Sequence, residues 1–279
     1  MTEAALAWAR EHLKRLAPCG DDEMDLGEAA LALAVMEQPA IDLDGLRRHI
    51  AVLIRDVGEE ARRQPDSVAG RVDSLRAILC RRFGYRGDRE TYDDLRNARL
   101  PDVIERRRGL PVALGLLFLT VGRAQGWPMA GLAFPGHFLI RLDGPDGRII
   151  LDPFHEAETP DAADLLRLLR ATQGEAASLR PEHYRAVPDR AILLRLQTNL
   201  KLRLISTGAV ERAVGILDAM LLFAPDIVDL WRESALLNGH LGNLTAALAA
   251  ANHALTLAPD ATSRLALTAL IQQLRARLN

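Results

Sequence analysis

Cysteine is nearly missing from this chain of 279 residues: there are two, Cys19 and Cys80. They stand far apart, in no CxxC pair and at no Cys/His metal spacing, so neither a disulfide framework nor a zinc finger is on offer. Reduced thiols in a cytoplasmic protein are the expectation. Aromatic residues make up only 4%, while Ala and Leu abound, which favours helix over sheet. Charge of one sign is lacking too: a formal net charge of −2 gives no electrostatic case for nucleic acid or anionic lipid. No apolar run approaches the roughly 20 residues of a membrane span. The N-terminal MTEAALAWAREHLKRL is amphipathic but has no signal-peptide apolar core. What remains is an ordinary globular balance, 49% hydrophobic and 26% charged, long enough for two modest domains.

The informative stretch runs from Ile104 to Phe154. Arg108-Gly109-Leu110-Pro111 reads as a helix start, because the missing N–H of Pro costs nothing in the first turn. Val112 to Gln125 is almost wholly apolar, Gly126 ends it and Pro128 prevents resumption. A helix apolar on most sides is buried on most sides, so this is the expected central helix. Pro135-Gly136-His137 then leads into a strand, Phe138 to Leu142. Asp143-Gly144-Pro145-Asp146-Gly147 is a turn, and Arg148 to Leu151 a return strand. A hairpin closed about Gly144 and Pro145 sets Phe138 opposite Leu151, Ile140 opposite Ile149 and His137 opposite Asp152. A carboxylate facing an imidazole fixes its tautomer and stabilises the imidazolium, the orienter–base half of a triad. The same pair also serves as a structural hydrogen bond between strand ends.

Before this stretch the periodicity predicts helices over Thr2–Leu16, Met24–Met36, Leu43 to about Arg63 with Asp42 as cap, and Val68–Phe83 with Ser67 as cap. Pro18-Cys19-Gly20-Asp21-Asp22 breaks the first. Phe83-Gly84-Tyr85 and Arg86-Gly87-Asp88 form a turn, and a short helix covers Leu100 to Arg107. Arg106-Arg107-Arg108 looks like a phosphate-binding cluster, but no aromatic platform interleaves with it, and a solvated face with a helix C-terminal turn where cations suit the dipole is the stronger reading. Cys80 has Arg81 and Arg82 beside it, which favours a thiolate, but it lies outside the central helix and reads as a small buried hydrophobe. After the hairpin, Thr159 caps a helix from Asp161 to about Thr172, and Arg180 to Pro188 forms a junction. His155 and His183 have no second ligand at metal spacing and read as solvent-facing; no metal and no cofactor are expected. Pro225 and Pro259 then stand 34 apart, as do Gly208 and Gly242, Ala213 and Ala247, and Leu221 and Leu255. That is the tetratricopeptide period. Two units and a capping helix, Ala261 to Leu278, are too few to stand alone, so the array is expected to lean on the first domain.

Helix, hairpin with His, then Asp at the end of the next strand is the order of the transglutaminase-like branch of the papain-type fold. Tyr92-Asp93-Asp94-Leu95-Arg96-Asn97-Ala98-Arg99-Leu100, Arg107-Arg108-Gly109-Leu110-Pro111, Phe134-Pro135-Gly136-His137-Phe138-Leu139 and Leu151-Asp152-Pro153-Phe154 resemble the SirB-one family of bacteria. So does Ile192-Leu193-Leu194-Arg195-Leu196-Gln197-Thr198-Asn199-Leu200-Lys201 at the junction. The resemblance implies an α+β, mostly helical fold: a transglutaminase-like core with a small antiparallel sheet in residues 1–187, then a helical tetratricopeptide array in residues 188–279. It implies His137 and Asp152 as the site pair, flanked by Asn97, Arg108, Gly109, Pro111, Pro135 and Phe138 as binding residues. In the transglutaminase branch a Cys opens the central helix. Here residues 109–113 read Gly-Leu-Pro-Val-Ala, with no Cys, Ser or Thr in the first turn, and Thr120 is two turns further in. Two functions follow as expectations. One is a non-catalytic protein that binds a protein or peptide partner. The alternative is an amide hydrolase or acyl transferase with His137 as base, Asp152 as orienter and an unconventional nucleophile.

Overall fold

The structure is a computed structural model that describes residues 2–20 and 24–278. Asp21 and Asp22 of the expected break lie outside the described residues. Four helices open the chain: α1 (Thr2–Leu16), α2 (Leu26–Glu37), α3 (Leu43–Ala61) and α4 (Val68–Leu75). Asp25, Asp42 and Ser67 each accept the backbone N–H three residues on, which caps α2, α3 and α4. α4 runs on as a π-helical stretch over Arg76–Arg82, in which the Phe83 N–H reaches back to Ile78 O. The expected turn at Arg86–Gly87 is instead a short strand, β1, parallel to β2 (Arg108–Gly109). Between them lie a 3-10 turn at Leu95–Ala98 and α5 (Leu100–Arg106). Arg108 and Gly109 therefore belong to a strand, and the central helix starts at Pro111.

That helix, α6 (Pro111–Arg123), has eleven of its thirteen residues buried. Its seven large apolar side chains contribute on the order of 10–20 kcal/mol as an upper bound, comparable to the net stability of a whole domain. Nothing can displace α6 without unfolding the core.

A four-stranded antiparallel sheet follows, with strand order β5-β4-β3-β6. Its members are β3 (Met129–Leu132), β4 (Ile140–Gly144), β5 (Gly147–Leu151) and β6 (Ala186–Val187). The hairpin turns at Pro145-Asp146, not Gly144-Pro145, so Ile140 pairs with Leu151 and Leu142 with Ile149. The expected register is thus corrected by two residues. Because side chains alternate with period two, both registers put the same residues on the same face. The observed turn is anchored from outside the hairpin: the Asp146 carboxylate accepts the Val68 N–H at 2.7 Å, tying the turn to the start of α4. His137 also moves: it sits in a bend after Gly136 (φ 72°), ahead of β4, and not on the strand.

The 3-10 turn Pro153–His155 and α7 (Ala162–Gln173) complete this part. Asp161, not Thr159, caps α7, with Asp164 closing a capping box. The expected junction is no free linker, since β6 pairs with β3 through Gly131–Val187 and Leu132–Ala186. The helices α8 (Asp189–Ser206), α9 (Val210–Phe223), α10 (Val228–His240), α11 (Leu244–Leu257) and α12 (Ala261–Leu278) form the array. Gly208 and Gly242, one repeat apart, both take a left-handed φ (77° and 80°) in the turn between paired helices, a conformation that strains any residue with a Cβ. Ala247, Ala250, Ala251 and Ala254 are buried and let α11 approach its neighbours closely.

One cluster of buried apolar side chains extends from Ala9 in α1 to Leu230 in α10 and so crosses residues 187 and 188 without a break. Arg99 of the core and Arg212 of α9 both bind the Glu37 carboxylate at the end of α2. Among the described residues no helix is long and apolar enough to cross a membrane.

Candidate site at the end of the hairpin

Asp152 follows the last residue of β5 and caps the 3-10 turn behind it. Its Oδ1 accepts the Phe154 N–H at 3.0 Å. Pro153 at the first position of that turn supplies the fixed φ that swings residues 153–155 beneath the carboxylate. The loop then closes on Asp152 itself: Ala157 N–H bonds Asp152 O, and Asp152 N–H bonds Glu158 O. Closure puts Glu156 (φ 53°) and Ala157 (φ 59°) in the left-handed region, which costs a non-glycine residue energy. Arg76 holds the strained loop by donating to Ala157 O at 2.9 Å.

His137 Nε2 lies 2.9 Å from both Asp152 oxygens. His155 Nδ1 lies 2.7 Å from Oδ2. The two imidazoles stack at 5.9 Å between centroids, and Phe154 meets both edge-on. The Asp152 side chain is 4% exposed, that of His137 13% and that of His155 29%, so the cluster opens to solvent on the His155 side. Burial pushes the Asp152 carboxyl up, but hydrogen bonds and charge from His137 and then His155 outweigh it and hold the group below the usual carboxylate range.

The meeting of His137 and Asp152 is thus made by side-chain reach from a bend, not by pairing across the ladder. His155 is the residue the sequence reading missed. It is not solvent-facing but bonded to the site carboxylate, and with His137 and Asp152 it does form a group at metal spacing, the three ligand atoms lying within 4.8 Å of one another. The signal was Asp-Pro-Phe-His: an Asx cap three residues before a His, with Pro forcing the turn. His183 is also buried, its Nδ1 accepting the Arg180 N–H.

The other candidates separate. Pro111, Val112 and Ala113 are buried, so the tip of α6 is apolar and closed. Thr120 is half-buried and donates to Leu116 O. Cys80 is buried in the π-helical stretch, and burial pushes its thiol up to about 12, which leaves no thiolate at neutral pH. Asn97, Gly109, Pro111 and Phe138 are buried as well. Asn97 donates to Thr91 O and accepts from Arg106, and Phe138 fills the space above Gly115 and Gly131. Pro135 and Arg108 are partly exposed.

The three consecutive arginines do not form a solvated face. Arg106 binds Asp88 and Asn97, Arg107 binds His49 and Tyr85, and Arg108 binds Glu90. Burial raises the Asp88 carboxyl, but hydrogen bonds from Thr91, Asn97 and Arg106 hold it well below the carboxylate range. Phe154 also lines an open cleft of about 240 Å³, with Arg86, Arg89, Arg108, Glu90 and Glu156.

The model of the transglutaminase-like superfamily matches residues 45–198, more than half of the chain. The chain belongs to that superfamily. A tetratricopeptide-repeat model matches residues 200–272. This transglutaminase-like chain is 33% identical over 239 residues to a UPF0162 protein of Xylella fastidiosa (strain Temecula1), covering 84% of each. It is 34% identical over 206 residues to a UPF0162 protein of Vibrio cholerae, covering 74% of this chain and 76% of the relative. Protein SirB1 of Salmonella typhimurium is 24% identical over 156 residues, covering 56% and 58%. The expected SirB-like relationship therefore holds, as does the expected order of a transglutaminase-like core followed by repeats. No solved structure matches the chain.

Proposed function

We propose that this chain is a non-catalytic transglutaminase-like protein that acts by binding a protein or peptide partner, with the repeat array as its interaction surface. The observation that carries this reading is the tip of α6. A transglutaminase-type centre needs a thiol there, where the helix N-terminus stabilises the thiolate. Pro111, Val112 and Ala113 offer none and are sealed in the core.

The array supports the second half of the reading. Leu202 of α8, Leu236 of α10 and Leu265 of α12 are 55%, 49% and 73% exposed. Leu202 and Leu236 lie on the first helices of the two units, one repeat of 34 residues apart, and Leu265 lies on the capping helix. Exposed leucines at equivalent positions of the two units suit an apolar stripe on a partner. Two unpaired thiols suit a reducing compartment, and the reading places the protein in the cytoplasm.

The test compares the full chain with a Leu202→Asp/Leu236→Asp variant in pull-downs from the native host. A partner retained by the wild type and lost by the variant is expected. Empty pull-downs for the wild type under several conditions count against the reading. One observation favours the alternative, an amide hydrolase or acyl transferase: His137 and Asp152 are in contact as a base and its orienter must be. General-base help alone supplies only about 10²–10⁴-fold, weak for amide cleavage. Amidase or transfer activity on a peptide panel that His137→Ala abolishes would establish that alternative.

A further inference from the structure

We propose that His137, Asp152 and His155 form a binding site for one divalent transition-metal ion of the zinc class. The proposal is independent of what the repeat array binds.

The donor atoms are chemically right. Two imidazole nitrogens and one carboxylate oxygen suit zinc and its first-row neighbours, whereas magnesium and calcium ask for oxygen throughout. The separations are right as well. With metal–ligand bonds of about 2.0–2.1 Å, two ligands at a right angle lie about 2.9 Å apart and at a tetrahedral angle about 3.4 Å apart. His137 Nε2 is 2.9 Å and His155 Nδ1 2.7 Å from Asp152 Oδ2. A single ion among the three atoms requires the side chains to rotate so that the two imidazole nitrogens, which lie within 4.8 Å of each other, come to the roughly 3–4 Å that two ligands of one ion span.

The ligands are also held in advance. Asp152 Oδ1 accepts the Phe154 N–H and also lies 2.9 Å from His137 Nε2, while Oδ2 faces both rings. The bond from Phe154 is the supporting hydrogen bond a metal-bound carboxylate ordinarily has. The loop that places His155 is closed by backbone bonds of Asp152 and by Arg76. Charge balance points the same way. Among the described residues the polar contacts of this buried carboxylate are the two imidazoles and backbone N–H groups, with no arginine or lysine. A cation held by the same two imidazoles would take over the stabilisation that they now give the carboxylate. Three protein ligands with His155 at the solvent edge leave coordination positions for water or for a ligand arriving from outside.

The same distances also fit a hydrogen-bonded trio without metal, and the experiment separates the two. Full-length protein without an affinity tag is stripped with chelator and titrated with Co²⁺, then with Zn²⁺. One equivalent of Co²⁺ per chain is expected, with visible d–d absorption that Zn²⁺ abolishes and a melting midpoint raised by several degrees in Zn²⁺. His155→Gln, at the exposed edge, should weaken binding at least about 10-fold and remove the midpoint shift while leaving the far-UV circular dichroism unchanged. His137→Gln should do the same, and if that variant fails to fold, His155→Gln alone decides. No saturable binding by the wild type below about 0.1 mM metal, or stoichiometric binding that survives His155→Gln, overturns the site and leaves a hydrogen-bonded trio only.

Discussion

Glu37→Gln should destabilise the protein by about 3 kcal/mol. Glu37 is the last residue of α2, where a carboxylate opposes the helix dipole. It is kept there by two arginines. Arg99 reaches Oε1 at 2.6 Å with side chains 12% and 7% exposed, and Arg212 of α9 reaches the same oxygen at 2.8 Å from a side chain that is 51% exposed. Breaking a buried pair costs about 3–5 kcal/mol because the remaining charge is stranded. Arg99 keeps Asp102 at 3.7 Å as a second partner, which sets the loss at the lower end. Arg212 is half in water and adds at most about 1 kcal/mol. Urea unfolding followed by circular dichroism measures the loss directly, and the melting midpoint should fall by roughly 5–10 °C. A double-mutant cycle divides it: Glu37→Gln with Arg99→Met should show the large coupling, and Glu37→Gln with Arg212→Met the small one. A loss under about 1 kcal/mol, or a larger coupling to Arg212 than to Arg99, would refute the assignment.

Three further outcomes are expected. Burial, then the Arg107 charge, lower the His49 pKa from 6.5 to about 4, so the folded protein resists a proton that the unfolded chain accepts. Its contribution is complete above pH 6.5 and falls away as the pH drops towards 4, by at most about 3 kcal/mol and less where the ring is wet; a pH series on His49→Gln should be flatter than on wild type. Gly115→Ala sets a Cβ 2.5 Å from the Phe138 ring and should cost about 1–3 kcal/mol in urea unfolding, with part of the loss recovered by adding Phe138→Leu. Cys80 should resist iodoacetamide at neutral pH in the native protein and react once it is unfolded, as mass spectrometry of the labelled peptides will show.

Local chemistry was legible in the sequence, and long-range chemistry was not. The caps Asp42 and Ser67, the start of α6 at Pro111 and the 34-residue repeat follow from neighbours in the chain. β3 and β6 escaped notice because strands of four and two residues are too short to show alternation. The hairpin register was missed by two residues, and the contact that anchors the observed turn joins Asp146 to Val68, 78 positions away. His137 and Asp152 were found as a pair, but His155 needed the 3-10 turn that Pro153 and the Asp152 cap create together. The arginines looked like a solvated run because nothing local reveals that Asp88, His49 and Tyr85 wait for them across the core.

The hydrophobic core that crosses residues 187 and 188 has a mechanical consequence. Producing the parts before and after Pro188 as separate chains would leave Ile192, Leu193, Leu196 and Leu200 without their neighbours in the N-terminal part and give two sticky halves, not two working pieces. Whatever grips α8 and α9 therefore grips the same solid body that carries the imidazoles, and a tug on one is transmitted to the other.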